Sequence, residues 1–95
     1  MIRSSVKITY PWKVSIGSNT WLGDYVELYS LGEIAIGSDV VISQKSYICA
    51  ATHDYSKPSF DMVSMSVIVQ DQVWIATDVF VALGVTISHG AIISA

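Results

Sequence analysis

Among 95 residues with two histidines and one cysteine, His53 is the side chain best placed to move a proton near neutral pH. It stands near the start of "CAATHDYSKPSFDM", the longest polar interruption in a largely apolar chain. An imidazole with an ordinary pKa of about 6.5 can exchange a proton near neutral pH, although a histidine in a polar loop taken by itself reads as a solvated residue. His89 follows Ile87 in a turn and reads as an exposed turn residue. Cys49 follows an apolar position and reads as a small packed side chain. With a single cysteine no intrachain disulfide can form, and the simplest compartment is a reducing one. No residue set suggests a metal site.

What positions His53 is a repeat. Stepping by six, large apolar residues fall at Tyr10, Ile16, Leu22 and Leu28 and, after a slip of two, at Ile36, Ile42 and Ile48. Beyond the polar interruption they resume at Val69, Ile75, Val81, Ile87 and Ile93. With 52% hydrophobic residues, chance would fill all twelve sites about once in two or three thousand trials. Two residues before each site, ten of twelve positions are β-branched; Ser46 and Ala91 are the exceptions. Side chains alternate along a strand, so each site and the residue two before it share one face. Small residues such as Gly17, Gly23, Gly37 and Ala76 follow the sites. Each hexad is thus a short strand and a tight turn, and three per coil make a triangular prism. Helix is disfavoured, because no 3.6-residue stripe appears.

From Ile48 to Val69 is 21 residues where six are due, so residues 52–66 are expected to leave the stack as a loop. Loops this long in compact repeats are usually functional or disordered. Tyr55, Phe60, Met62 and Met65 suit it to docking against a neighbour. Residues just before the sites should face outward. In rotation they give one apolar wall, Trp21, Val41, Trp74 and Ile92, and two mixed ones: Ser15, Ala35, Ile68 and Thr86, then Thr9, Glu27, Tyr47 and Phe80. An apolar wall of this kind marks an interface.

Bulk properties agree. The length allows one domain, residues 1–95, with 14% charged residues against the roughly 25% of an average domain. More apolar surface is present than a small core absorbs, so some is expected to face another subunit. The net charge of −3 contains no basic cluster, which argues against a nucleic-acid surface. No apolar stretch approaches the ~18 residues of a membrane span, and a cytoplasmic location is expected.

The hexads resemble those of the hexapeptide-repeat acyltransferases, whose fold is an all-β, left-handed parallel β-helix; about four coils with one extruded loop are expected here. The segments "YPWKVSIGSNTWLGDYVELY", "THDYSKPSFDM" and "VWIATDVFVALGVTISHGAIISA" are similar, more narrowly, to acetyltransferases of the colanic acid biosynthesis type. The resemblance runs from about Val6 to Ala95. It implies an acetyl-CoA-dependent O-acetyltransferase acting on a sugar or saccharide-like hydroxyl, with His53 as general base and no metal. It also implies that Trp74, Thr77 and Ala95 line the thioester or pantetheine, with Ala76 and Ala82 as weaker matches, and that the protein is a homotrimer with sites between prisms. The zinc hydrases built on the same prism need three histidines, and this chain has two. Departures exist: Leu83 replaces the usual proline of the "PGVTI" turn, and relatives continue for further coils after the position of Ala95. The alternative is a shortened, non-catalytic β-helix that serves only in assembly or interaction.

Overall fold

A strand two or three residues long cannot hold itself, so each hexad must find backbone partners in the coil above and below. A computed structural model, describing residues 2–53 and 62–94 (backbone alone at 52–53 and 62–64), shows that arrangement. The chain winds as a left-handed parallel β-helix of four coils. One face stacks β1 (Lys7–Ile8), β4 (Glu27–Tyr29), β7 (Tyr47–Cys49) and β12 (Phe80–Val81). The second stacks β2 (Val14–Ile16), β5 (Ile34–Ile36), β10 (Val67–Val69) and β13 (Thr86–Ile87). The third stacks β3 (Trp21–Leu22), β6 (Val41–Ile42), β11 (Trp74–Ile75) and β14 (Ile92–Ile93). No helix among the described residues is long and apolar enough to cross a membrane.

Every pairing between these faces' strands is parallel and in vertical register. On the third face the N–H of Trp21 donates to Val40 O (2.8 Å), that of Val41 to Val73 O (2.9 Å) and that of Trp74 to Ala91 O (3.0 Å). Inside, Leu22, Ile42 and Ile75 stack in that order on the third face, while Leu28, Ile48 and Val81 stack on the first. Leu22, Leu28, Ile42, Ile48 and Ile75 have no exposed surface, and each contributes roughly 1.5–3 kcal/mol by burial. The residues two before the sites close the interior; Val26, Val40, Val67 and Val73 are buried. Thr20 and Ser46, the two polar residues at these positions, bridge coils. Thr20 Oγ1 donates to Gly37 O (2.7 Å), and Ser46 Oγ donates to Ala76 O (2.6 Å) while accepting from Val79 N (3.1 Å).

The corners divide into two kinds. At eight of them the third residue after the core site has a positive φ: Asn19, Tyr25, Asp39, Lys45, Gln72, Asp78, Gly84 and Gly90, between 56° and 76°. The corner from the first face to the second is different in the first three coils and regular only at Gly84. Along it eight residues separate Ile8 from Ile16 and Leu28 from Ile36, twenty-one separate Ile48 from Val69, and six separate Val81 from Ile87.

The first coil therefore departs from the expected phase. Ile8, not Tyr10, stacks on Leu28, and Lys7, not Thr9, lies in register with Glu27. The cause is Pro11, which has no N–H for a ladder. With Trp12 and Lys13 it forms a 3-10 turn that occupies the corner. Tyr10 is held at that corner by the fully buried Ser30, whose Oγ accepts from Tyr10 N (2.9 Å) and donates to Tyr10 O (3.0 Å).

The long excursion leaves from the same corner, two coils further on. Its base is an antiparallel ribbon, β8 (Ala51–His53) with β9 (Met62–Ser64), in which His53 pairs with Met62. The expected loop is thus a hairpin at its root. That root is closed by Met65 N donating to Ala50 O (3.0 Å), seated on Glu33 O through Val67 N (2.9 Å), and capped by Gly84 N on Ser66 O (3.1 Å). Gly32 lies directly beneath it; a Cβ there would stand 2.6 Å from Ala50 O and 3.0 Å from Met65 O.

On the outer side of the first face, Tyr47 stacks on Phe80 (5.6 Å, 9°) and leans on Tyr29 (6.4 Å, 32°). Burial, followed by the nearby Cys49 and Glu27, pushes the Tyr47 hydroxyl up to about 12 from 10.0. A group whose folded pKa exceeds its unfolded value adds stability that is complete below pH 10 and fades as pH rises towards 12. Denaturant melts from pH 9 to 12 should show this alkaline decline, and Tyr47→Phe should make it shallower. Gly32→Ala should lower stability by about 1–3 kcal/mol in the same assay, since both clashing atoms belong to the backbone of the hairpin root.

Candidate functional site

Two regions of the prism gather the residues with chemical potential. The first is the hairpin corner. The backbone of His53 sits at the end of β8, three residues beyond the buried Ala50 that anchors the root. Its side chain, like residues 54–61 with Tyr55, Ser56, Lys57 and Phe60, lies outside the described residues. Cys49 is at the foot of this corner, partly buried, and its Sγ donates to Ala51 O (2.7 Å), as fits a packed thiol. Ala82 follows Val81 at the same corner, one coil above.

The second region is the third face with the corner that follows it. Trp21, Val41, Trp74 and Ile92 stand in register up this wall, each between 41% and 69% exposed. This is the apolar ladder read from the sequence. The Trp74 indole Nε1 donates to Ser43 Oγ (3.1 Å), which fixes the ring across two coils. Ala76 and Thr77 come directly after β11, so the structure brings Trp74, Ala76 and Thr77 to one place. Ala95 lies outside the described residues.

Beside them opens a cleft of about 360 Å³ bounded by Arg3, Trp21, Asp24, Val41, Gln44 and Thr77. Its acidic member is already engaged. Arg3 Nε (3.1 Å) and Ser5 Oγ (3.0 Å) both donate to Asp24 Oδ1. These two hydrogen bonds, the one from Arg3 first, hold its carboxyl below the usual 3.8. The cleft therefore offers an indole face, a neutralised ion pair and an amide. A slender apolar or amide-bearing ligand fits that lining better than a highly charged one. Among the described residues no three His, Cys, Asp or Glu side chains come together as a metal site.

Sequence reasoning missed Ser43 and the Arg3–Asp24 pair. Ser43 had a legible signal, since it is the small residue one coil below Ala76 at the same corner. The ion pair had none, because Arg3 precedes the first hexad. Within one prism, Ala82 and the root of the His53 hairpin occupy one corner, whereas Trp74, Ala76 and Thr77 occupy another.

No family model matches the chain. It is 52% identical over all 95 residues to WcaF of Escherichia coli, named as a colanic acid biosynthesis acetyltransferase, and covers 52% of that protein. A hexapeptide-repeat acetyltransferase of Vibrio cholerae, solved in complex with acetyl coenzyme A, superimposes with a TM-score of 0.88 at 23% identity, over 100% of this chain and 56% of the other. A maltose O-acetyltransferase of Clostridium difficile gives 0.81 at 22% identity, over 98% of this chain and 55% of the other. The chain thus spans about half the length of each of these proteins. With this coil architecture and that full-length sequence match, the chain shares the fold of the hexapeptide-repeat acetyltransferases and is similar in sequence, over all its residues, to about half of a protein of the colanic acid biosynthesis type.

Proposed function

We propose that the chain is part of an acetyl-CoA-dependent O-acetyltransferase that modifies a hydroxyl of a sugar or saccharide-like acceptor, with His53 as general base. The observation that carries this reading is the hairpin. A stack that needs no excursion sends one out at a single corner, clamps its root between Glu33 below and Gly84 above, and places His53 at the end of its first strand. The acetyltransferase names of the protein matched over the full chain and of its structural neighbours support the reaction class. The saccharide-linked names of two of them support the acceptor class.

In this reading the imidazole takes the hydroxyl proton as the acceptor oxygen bonds to the thioester carbonyl carbon. The tetrahedral oxyanion is held by backbone N–H groups, the C–S bond then breaks, and the imidazolium returns its proton to the departing thiolate. Trp74, Ala76, Thr77, Ala82 and Ala95 are the proposed coenzyme contacts. Ala76 and Ala82 are small enough to let an extended pantetheine lie against the backbone. Because these residues fall on two corners of one prism, the reading includes a homotrimer in which one subunit's hairpin corner meets its neighbour's Trp74 wall. Dependence on acetyl-CoA implies a cytoplasmic site of action. The 95 residues act as one β-helical domain in this proposal.

The second reading, an assembly module without catalysis, is favoured by the apolar wall alone, and calorimetric titration with acetyl-CoA separates the two. Binding is expected; a flat titration selects the assembly module. His53→Ala should lower acetyl transfer at least about a hundredfold while leaving the far-ultraviolet spectrum and coenzyme affinity unchanged. Retained turnover removes His53 from the mechanism. Sedimentation equilibrium should return three times the 10.3 kDa chain mass, and a monomer at micromolar concentration refutes the shared site.

A further inference from the structure

A second, smaller cleft lies apart from the Trp74 wall, on the outer side of the second face. It measures about 210 Å³ and is bounded by Trp12, Lys13, Ser15, Glu33 and Ala35 together with the backbone around them. Trp12 is 77% exposed, the most open large apolar side chain among the described residues. Nothing in the core needs it there. It stands on the 3-10 turn Pro11–Lys13, which is pinned from two sides. Lys13 Nζ donates to Leu31 O (2.7 Å), and Tyr10 packs on the indole at 5.0 Å. The ring is therefore held out from the prism as a wall. The floor beside it is made of the small outward residues Ser15 and Ala35, which are neighbours in register.

We propose that this cleft binds one pyranose ring of the acceptor, with Trp12 as the stacking platform and Glu33 and Ser15 as hydroxyl partners. The assignment rests on the acetyltransferase reading above for its role, but the binding itself rests on the lining. A sugar ring has an apolar C–H face and an equatorial rim of hydroxyls. An exposed indole suits the first, and a carboxylate with a hydroxyl suits the second. A second copy of the chain is the poorer occupant, because the cleft is recessed and mixed in polarity, while the continuous apolar ladder lies on another face. Its position links it to the reaction. The carbonyl of Glu33 accepts Val67 N (2.9 Å), so the cleft opens one rung, about 4.8 Å, below the point where the His53 hairpin returns to the stack. An acceptor seated on Trp12 would extend upward along the same edge towards that hairpin.

The test is a binding measurement that needs no acetyl-CoA. The full chain is titrated with methyl glycosides of glucose, galactose and mannose while the indole N–H resonances of its three tryptophans are followed, Trp12 being assigned by its loss in Trp12→Phe. The expected result is a shift of the Trp12 signal with at least one glycoside, an affinity about tenfold weaker in Trp12→Ala, and most of it retained in Trp12→Phe. A Trp12 signal that no glycoside moves overturns the proposal, even if His53-dependent transfer to a glycoside is found. It is equally overturned if Trp12→Ala dissociates the assembly without changing glycoside affinity, because Trp12 would then be an interface residue. Glycoside binding at Trp12 in a chain that transfers no acetyl group upholds the site and removes only the reaction assigned to it.

Discussion

The backbone of each coil can complete its hydrogen bonds only along the prism axis. Strands of two or three residues have no length over which to slide, so one misplaced residue in any coil would unpair all those above it. This demand explains the strictness of the registers, such as Trp21 over Val41 over Trp74 over Ile92, and the burial of every site in the two middle coils. It also explains why polar side chains are admitted inside at corners. Thr20, Ser30 and Ser46 are buried, yet each joins one coil to the next through its hydroxyl, so the axial bonding is extended and not interrupted.

The same demand decides where function can reside. Extra residues inside a strand would destroy pairing, whereas extra residues at a corner need only return the chain to its starting register. The corner between the first and second faces is used in this way in three successive coils: a pinned 3-10 turn, a tight turn through Ser30 and Gly32, and the hairpin that carries His53. The features with chemical potential that are not on the apolar wall lie along this edge. The prism supplies rigidity, and the edge supplies reach.

Most of this architecture was legible in the sequence because the constraint writes itself as a period. Eleven of the twelve sites and two of the three outer walls fell where the hexads put them. Tyr10 did not, because the phase was carried backward across a corner that had already absorbed two residues. Pro11 was the warning, since it cannot donate to a ladder. The slip from Leu28 to Ile36 was the same event one coil later. The hairpin root escaped notice for a different reason. Its pairing is antiparallel and joins residues on either side of a polar stretch, so no fixed spacing announces it. The Arg3–Asp24 contact and the Ser43–Trp74 bond were hidden as well, since side-chain partners a coil apart follow from the three-dimensional register and not from a motif.

The variable corner has an evolutionary meaning. Among the described residues, the returning root of the hairpin is clamped by main-chain bonds to Glu33 below and Gly84 above. The hairpin's tip can be exchanged, lengthened or trimmed while the coils above and below keep their register. Selection can therefore retune what is recognised at this edge by editing a single segment, and a protein engineer could transplant a foreign hairpin at the same seam.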